Sequence, residues 1–215
     1  MLVEEIMNQN VQYLTKTDTI EDAIHTMNQY RIRHIPIVDK EKKLIGIVSD
    51  RDVRDASPSI FHAEEHLEDF KKPLKEIMVY PVVTAHPLDF VEEVASVLYE
   101  HDISALPIAA DDDTLVGMIT ETDILHTLVK LTGAHQPSSQ IEIQVHNVAG
   151  QLADVAGIFK ERGVNVTSVL VYPHTNPEYK ILVFRLQLMD PREVINVLKE
   201  EGYHIKWPTG PEVHP

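Results

Sequence analysis

Apolar positions along the first two thirds of the chain follow two spacings that alternate. Ile20, Ala23, Ile24 and Met27 recur at helical spacing, and so do Val91, Val94, Ala95 and Leu98. Each set therefore lines one stripe of a helix. Asp18 with Glu21, and Asp89 with Glu92, precede these stripes as N-terminal signals of the capping-box kind. Two short apolar runs follow each helix, His34–Val38 with Leu44–Ser49 and Ala105–Ala109 with Leu115–Thr120. Charged turns, Asp39–Lys43 and Asp111–Asp113, separate the runs, so each pair reads as a β-hairpin. A helix follows each hairpin, and the second carries Ile124, Leu125, Leu128 and Val129 before Gly133 stops it. With a short strand near Val11 or Val82, the unit reads β-α-β-β-α.

The two units are copies. Ile6–Val53 lies on Ile77–Ile124 without a gap, at an offset of 71 positions (77 − 6). Ile6-Met7 falls on Ile77-Met78, Pro36-Ile37 on Pro107-Ile108, Gly46 on Gly117 and Asp52 on Asp123. Either copy alone is too small to bury its hydrophobic face well, which predicts that the two pack as one module.

Beyond LVKLTGAHQPSSQ the pattern changes. Ile141–Val145 alternates as a strand, and Leu152, Val155, Ala156 and Phe159 form a helical stripe ending at Gly163. Val164–Tyr172 and Lys180–Leu188 read as strands around a PHTNPEY turn. Asp190-Pro191 with Glu193 marks a helix start, Val194, Ile195, Val197 and Leu198 supply its apolar face, and Tyr203–Trp207 closes the sheet. The order β-α-β-β-α-β is ferredoxin-like. The fold class is thus α+β. The predicted division is a first repeat (1–57), a helical linker (58–73), a second repeat (74–133), a linker (134–140), a ferredoxin-like domain (141–208) and a tail (209–215).

Charge narrows the partners. With 34 acidic residues against 19 Lys and Arg, the chain carries a formal net charge of -15. Nucleic-acid binding rests on basic groups neutralising phosphates, so no nucleic acid is expected, and a phosphate-bearing ligand must be small and met by a local basic cluster. The 215 residues include no cysteine, which excludes disulfides, Cys-ligated zinc and thiol catalysis and fits a reducing compartment. No basic leader with an apolar run, and no apolar stretch of about 18 residues, is present. A soluble, cytoplasmic protein without membrane contact is the expectation.

IRHIPIVDKEKKLIGIVSDRD and ISALPIAADDDTLVGMITETD resemble the two halves of a CBS-domain pair, through the h-P-h-h run before each hairpin and the G-h-h-[ST]-x-x-D run after it. IQVHNVAGQLADVAGIFKERGVNV resembles an ACT domain, with Asn147 at a position usually acidic and Ala149 where a proline is usual. The combination is similar to a family of acetoin-utilisation regulators, SPSIF, HPLDFVEE, LVKLTGA and SVLVYP included.

The resemblance implies that Asp52 and Asp123 receive the ribose hydroxyls of an adenine nucleotide. A carboxylate is acceptor-only and can take both protons of a cis-diol. The alternative is that both aspartates only cap their helices. Ser49 and Thr120 offer hydroxyls near a helix start, where anions are favoured. Across the repeat offset Arg31 becomes Asp102, Arg33 becomes Ser104, His34 becomes Ala105, Lys40 becomes Asp111, Arg51 becomes Thr122 and Arg54 becomes Leu125. The first copy is basic and the second acidic. Arg33 and His34 hold a position that in this family often contacts phosphate, so Arg33, His34 and Arg51 are assigned to the phosphates, in two unequal clefts. The alternative use of these charges is salt bridging between the copies.

Other motifs carry less. His62-Ala-Glu-Glu-His66 has ligand spacing but is not H-E-x-x-H, so a solvated helix is predicted and no metal site. Asn147, Gly150 and Leu152 mark a loop that would take a metabolite in an ACT domain. No phosphate-binding glycine motif or nucleophile elbow is found. The resulting expectation is a non-enzymatic sensor, needing no cofactor, with an AMP-, ADP- or ATP-type nucleotide as regulatory ligand. It would form a homodimer and act on a further protein, in acetoin or acetate utilisation. The alternative is a constitutive dimerisation scaffold that binds no nucleotide.

Overall fold

The computed structural model describes residues 1–56 and 67–208. His62, His66 and the tail predicted from residue 209 lie outside the described residues. The chain forms two compact units, Met1–Leu125 and His126–Pro215.

In the first unit, the first repeat holds β1 (Leu14–Thr15), α1 (Ile20–Tyr30), β2 (His34–Val38), β3 (Leu44–Ser49) and α2 (Asp50–Ala56). The second holds α3 (Val91–Glu100), β4 (Ala105–Ala109), β5 (Leu115–Thr120) and α4, which runs Glu121–Thr132. β2 pairs antiparallel with β3 and β4 with β5, and a register shift falls at Ile37/Val38 and at the matching Ile108/Ala109. The first strand sits three residues beyond Val11: β1 runs parallel to β2, and its counterpart in the second repeat is a single parallel bridge between Ala85 and Ile108.

The helix starts also differ from the sequence expectation, by one residue. Thr19, not Asp18, caps α1: its hydroxyl accepts from Asp22 N, and Asp22 Oδ2 accepts from Thr19 N at 2.9 Å. Asp18 instead closes the preceding turn, accepting from Thr15 N at 2.6 Å, as Asp89 does from His86 N at 2.7 Å. An aspartate one residue early satisfies the amide three residues back rather than the helix's own first turn.

The repeats exchange their opening turns. A 3₁₀ turn at Val3–Glu5 precedes the first repeat, and one at Leu74–Glu76 precedes the second. Val3 is buried among Val94, Leu98, Leu106 and Ile119 of the second repeat, while Leu74 is buried among Ile20, Ile35 and Val48 of the first. Backbone bonds fix both exchanges, Val3 N to Asp89 O at 3.0 Å and Leu74 N to Asp18 O at 2.7 Å. Full burial of such a side chain contributes about 1.5–3 kcal/mol, so each core is completed by the other repeat. The motif glycines follow from this. A Cβ on Gly117 would lie 2.5 Å from Met7 Sδ, and one on Gly46 would lie 2.7 Å from Met78 Sδ. The hairpin turns join too, Leu44 N bonding Asp113 O and Leu115 N bonding Lys42 O.

The second unit carries β6 (Ser139–His146), α5 (Gln151–Glu161), β7 (Val166–Pro173), β8 (Tyr179–Leu186), α6 (Arg192–Glu200) and β9 (His204–Trp207). Strand order is β7-β8-β6-β9, the ferredoxin-like arrangement expected from the element order. Ile141, Ile143, Leu182, Phe184 and Leu186 on one sheet face pack with Val155, Phe159, Val194 and Leu198 of the two helices. Phe159 and Phe184 meet edge to face at 4.8 Å. α6 begins at Arg192, and Asp190 accepts from Arg192 N at 3.1 Å while pairing with its guanidinium. That pair holds the Asp190 carboxyl at about 2.

Candidate functional site

Exchange of the opening turns creates two clefts in the first unit, and each draws on both repeats. The first has a volume of about 460 Å³ and is lined by Asn8–Gln12 positions (Asn8, Asn10, Val11, Gln12), Arg31–His34, and Ser104, Met118, Thr120, Thr122 and Asp123. The second, about 610 Å³, is lined by Val79, Pro81, Val82 and Val83, by Asp102–Ala105, and by Ile47, Ser49–Asp52, Arg54 and Asp55. These linings largely correspond across the repeat offset: Asn8 with Val79, Ile32 with Ile103, Met118 with Ile47, Asp123 with Asp52. The clefts are therefore pseudo-symmetric. Arg33, His34 and Ser104 line both.

Local chemistry at the two aspartates is the same. Ser49 caps α2, its hydroxyl accepting from Asp52 N at 3.2 Å, while Asp52 Oδ2 accepts from Ser49 N at 2.7 Å and from Ser49 Oγ at 2.6 Å. Thr120 and Asp123 repeat this at the start of α4, with Oδ2 accepting at 2.8 and 2.6 Å. Each aspartate is thus the third helical residue of a reciprocal capping box. One carboxylate oxygen serves the helix, and Oδ1 of each accepts no hydrogen bond from the described residues. Both side chains are half-buried. The geometry leaves one acceptor per aspartate facing a cleft, where the sequence reading assigned two. The hydroxyl hydrogens of Ser49 and Thr120 are likewise committed to the aspartates, so neither is a free donor toward an anion.

The basic residues divide differently from the sequence assignment. Arg51 lies with Asp52 and Ser49 in the second cleft, whereas Thr120 and Asp123 belong to the first. Arg33 and His34 reach both, because β2 pairs His34 with Ser49 and the His34 ring crosses to Ser104, its Nε2 3.3 Å from Ser104 Oγ. Burial pushes the His34 imidazole below its ordinary value, with Asp50 opposing and Arg33 adding to the shift. His34 is accordingly neutral near pH 7 and acts as a hydrogen-bonding group. Among the described residues, Arg31, Arg33 and Arg51 enter no ion pair within 4.0 Å, so these three do not form salt bridges between the repeats.

Arg31 is a further cleft residue. It ends α1 in the left-handed region (φ 54°), and Asp102, at the matching place one residue beyond the cap of α3, is left-handed too (φ 52°). Non-glycine residues seldom hold that conformation, and it carries the Arg31 side chain to the mouth of the first cleft. The strips Asn8–Gln12 and Val79–Val83 went unassigned in the sequence. Their constant offset from the Ile-Met opening was the available signal.

In the second unit, Asn147 N bonds Glu178 O at 2.7 Å and Asn147 Nδ2 bonds Pro177 O at 3.2 Å, so this side chain ties down the turn between β7 and β8. Gly150 (φ +94°) begins α5, and Leu152 is exposed. A shallow concavity of about 270 Å³ lies elsewhere, on the outer sheet face beside Gln140, Glu142, Tyr172 and Arg185.

Residues 3–59 and 74–130 match the CBS-domain family model, and residues 139–202 match the ACT-domain model. An acetoin utilization protein (AcuB) from Vibrio cholerae is 37% identical, covers 65% of this chain and 98% of its own, and superposes with a TM-score of 0.55. The CBS-domain pair of protein MJ0100, in complex with 5′-methylthioadenosine and S-adenosyl-L-methionine, is 29% identical over 63% of this chain and 98% of its own, with a TM-score of 0.53. Inosine-5′-monophosphate dehydrogenase of Methanocaldococcus jannaschii is 34% identical over 122 residues, which are 57% of this chain and 22% of that enzyme. The chain spans about a quarter of the length of the curated enzymes it matches first. No helix among the described residues is long and apolar enough to cross a membrane.

Proposed function

Because the chain belongs to the CBS-domain family, with an ACT domain behind the tandem pair, we propose that it is a non-enzymatic regulator that binds an adenosine ligand between its repeats. The observation that carries this reading is the pair of pseudo-symmetric clefts, each with an aspartate oxygen left over by the helix cap. In the reading, the ribose of an AMP-, ADP- or ATP-type nucleotide bonds Asp123 or Asp52, and Arg31, Arg33, Arg51 and neutral His34 meet the phosphates. The relative crystallised with 5′-methylthioadenosine and S-adenosylmethionine supports the ligand class. The ACT domain passes occupancy to a dimer contact or a partner protein. Its edge strand supports a homodimer: β7 exposes Val169, Leu170, Val171 and Tyr172 and pairs on one side only, and an open apolar edge is a template for a second chain. The likeness to AcuB supports a role in acetoin utilisation, and a cysteine-free chain fits the cytoplasm.

A thermal-shift panel tests the proposal on the intact chain, with AMP, ADP, ATP, S-adenosylmethionine, 5′-methylthioadenosine and free amino acids. A ligand at a hundred times its Kd stabilises the native state by about 2.7 kcal/mol, which is a rise of several degrees for a unit of this size. The expected result is such a rise with an adenosine ligand and its loss in the Asp52→Asn/Asp123→Asn double variant. No rise with any of them contradicts the proposal and favours the second reading, a dimerisation scaffold in which the two aspartates serve only their capping boxes.

A further inference from the structure

The two clefts are built from corresponding strips of the two repeats and differ in charge. Around the first, the charged groups other than the ribose-facing Asp123 are Arg31 and Arg33. Around the second, apart from Asp52, Arg33, Arg51 and Arg54 stand among Asp50, Asp55 and Asp102, three against three, and Arg54 already lies 4.0 Å from Asp55. The first cleft presents uncompensated positive charge to a ligand's tail, and the second presents none. The strips opposite these tails differ as well. Asn8, Asn10 and Gln12 line the first cleft, where the second has the apolar Val79, Pro81 and Val83. The clefts also share residues: Arg33, His34 and Ser104 are common to both linings, so both tails would converge on the one Arg33 guanidinium. Two phosphates meeting at that shared set would repel one another.

From this we infer that the pair holds one phosphorylated adenosine ligand at a time, in the Asp123 cleft, and that the Asp52 cleft takes an adenosine ligand without a phosphate. This deepens the proposed function and rests on it. The protein then reports a combination of two adenosine species, not the level of one. A bound phosphate claims Arg33 and His34, and the second cleft keeps only groups that neutralise one another.

Isothermal titration of the intact chain tests the inference with AMP and 5′-methylthioadenosine. AMP alone is expected to bind once per chain, with any second event at least tenfold weaker. Methylthioadenosine is expected to bind the AMP-saturated protein once more. Asp123→Asn should weaken AMP tenfold or more and leave one methylthioadenosine site, while Asp52→Asn should spare AMP and abolish the added methylthioadenosine. Arg33→Ala should weaken AMP alone. Two equivalent AMP sites, or methylthioadenosine that only displaces AMP, overturn the inference and leave the proposed function standing. No heat with either ligand overturns the proposed function itself.

Discussion

Replacing Asp123 with asparagine separates the two tasks that one carboxylate combines. Oδ2 accepts from Thr120 N and Thr120 Oγ1 at 2.8 and 2.6 Å, and Oδ1 is left to the cleft. An asparagine amide keeps one oxygen, which can hold the cap, and puts an NH₂ donor in place of Oδ1. The cap loses only its charge assistance, so the first unit should be destabilised by about 1 kcal/mol or less. Asp123→Ala deletes both oxygens and should cost up to about 2 kcal/mol, the upper range for a lost cap. Binding should not follow that order. A hydrogen bond to a charged acceptor contributes about 1.5–3 kcal/mol, and the new NH₂ cannot accept a ribose hydroxyl. AMP affinity should therefore fall roughly 10- to 150-fold in Asp123→Asn, close to the loss in Asp123→Ala. Calorimetric titration reads the affinity. Stability needs hydrogen exchange in urea, because Trp207, the sole tryptophan, lies in the second unit. Asparagine binding within twofold of the wild type would refute the reasoning, since the carboxylate would then serve only its helix.

Three other outcomes follow from the packing and the charges. Gly117→Ala drives a Cβ onto Met7 and should destabilise the first unit by about 1–3 kcal/mol, as overpacking does; adding Met7→Ala should recover part of that loss, and strictly additive effects by hydrogen exchange would argue against the exchanged opening turns. Gly150→Ala places a side chain at φ +94° and should lower the second unit's stability by about 1–2 kcal/mol, read from Trp207 emission in urea; an unchanged midpoint would contradict it. His34 is depressed by burial, so below about pH 6.5 the unfolded chain takes up a proton that the folded one resists. Stability should therefore fall as pH drops through that value, with Asp50 and Asp52 moderating the effect and Arg33 and Arg51 enhancing it, and His34→Gln should flatten the decline.

The repeat was legible because identities such as Ile6-Met7 on Ile77-Met78 persist at one offset, and both hairpins follow from period and turn composition. The exchange of Val3 and Leu74 was not legible, because nothing local distinguishes a residue that completes its own core from one that completes its neighbour's. The same non-locality hid the composition of the clefts. Asp123 shares a cavity with Arg31 of the other repeat, and Arg51 shares one with Asp102, groupings that sequence distance does not encode. His34 is a related case: its type is visible in the sequence, whereas the burial that keeps it neutral comes from the surrounding strands. The capping shift from Asp18 to Thr19 is smaller in scale. Both residues are good caps, and only the backbone path decides which one faces the helix's first amides.

The most direct test is a crystal structure of the intact chain grown with AMP. The account predicts nucleotide in the cleft between Arg31 and Asp123, with a ribose hydroxyl donating to Asp123 Oδ1 and the phosphate beside Arg31 and Arg33. AMP bound away from both clefts, or both clefts empty at saturating AMP, would contradict it.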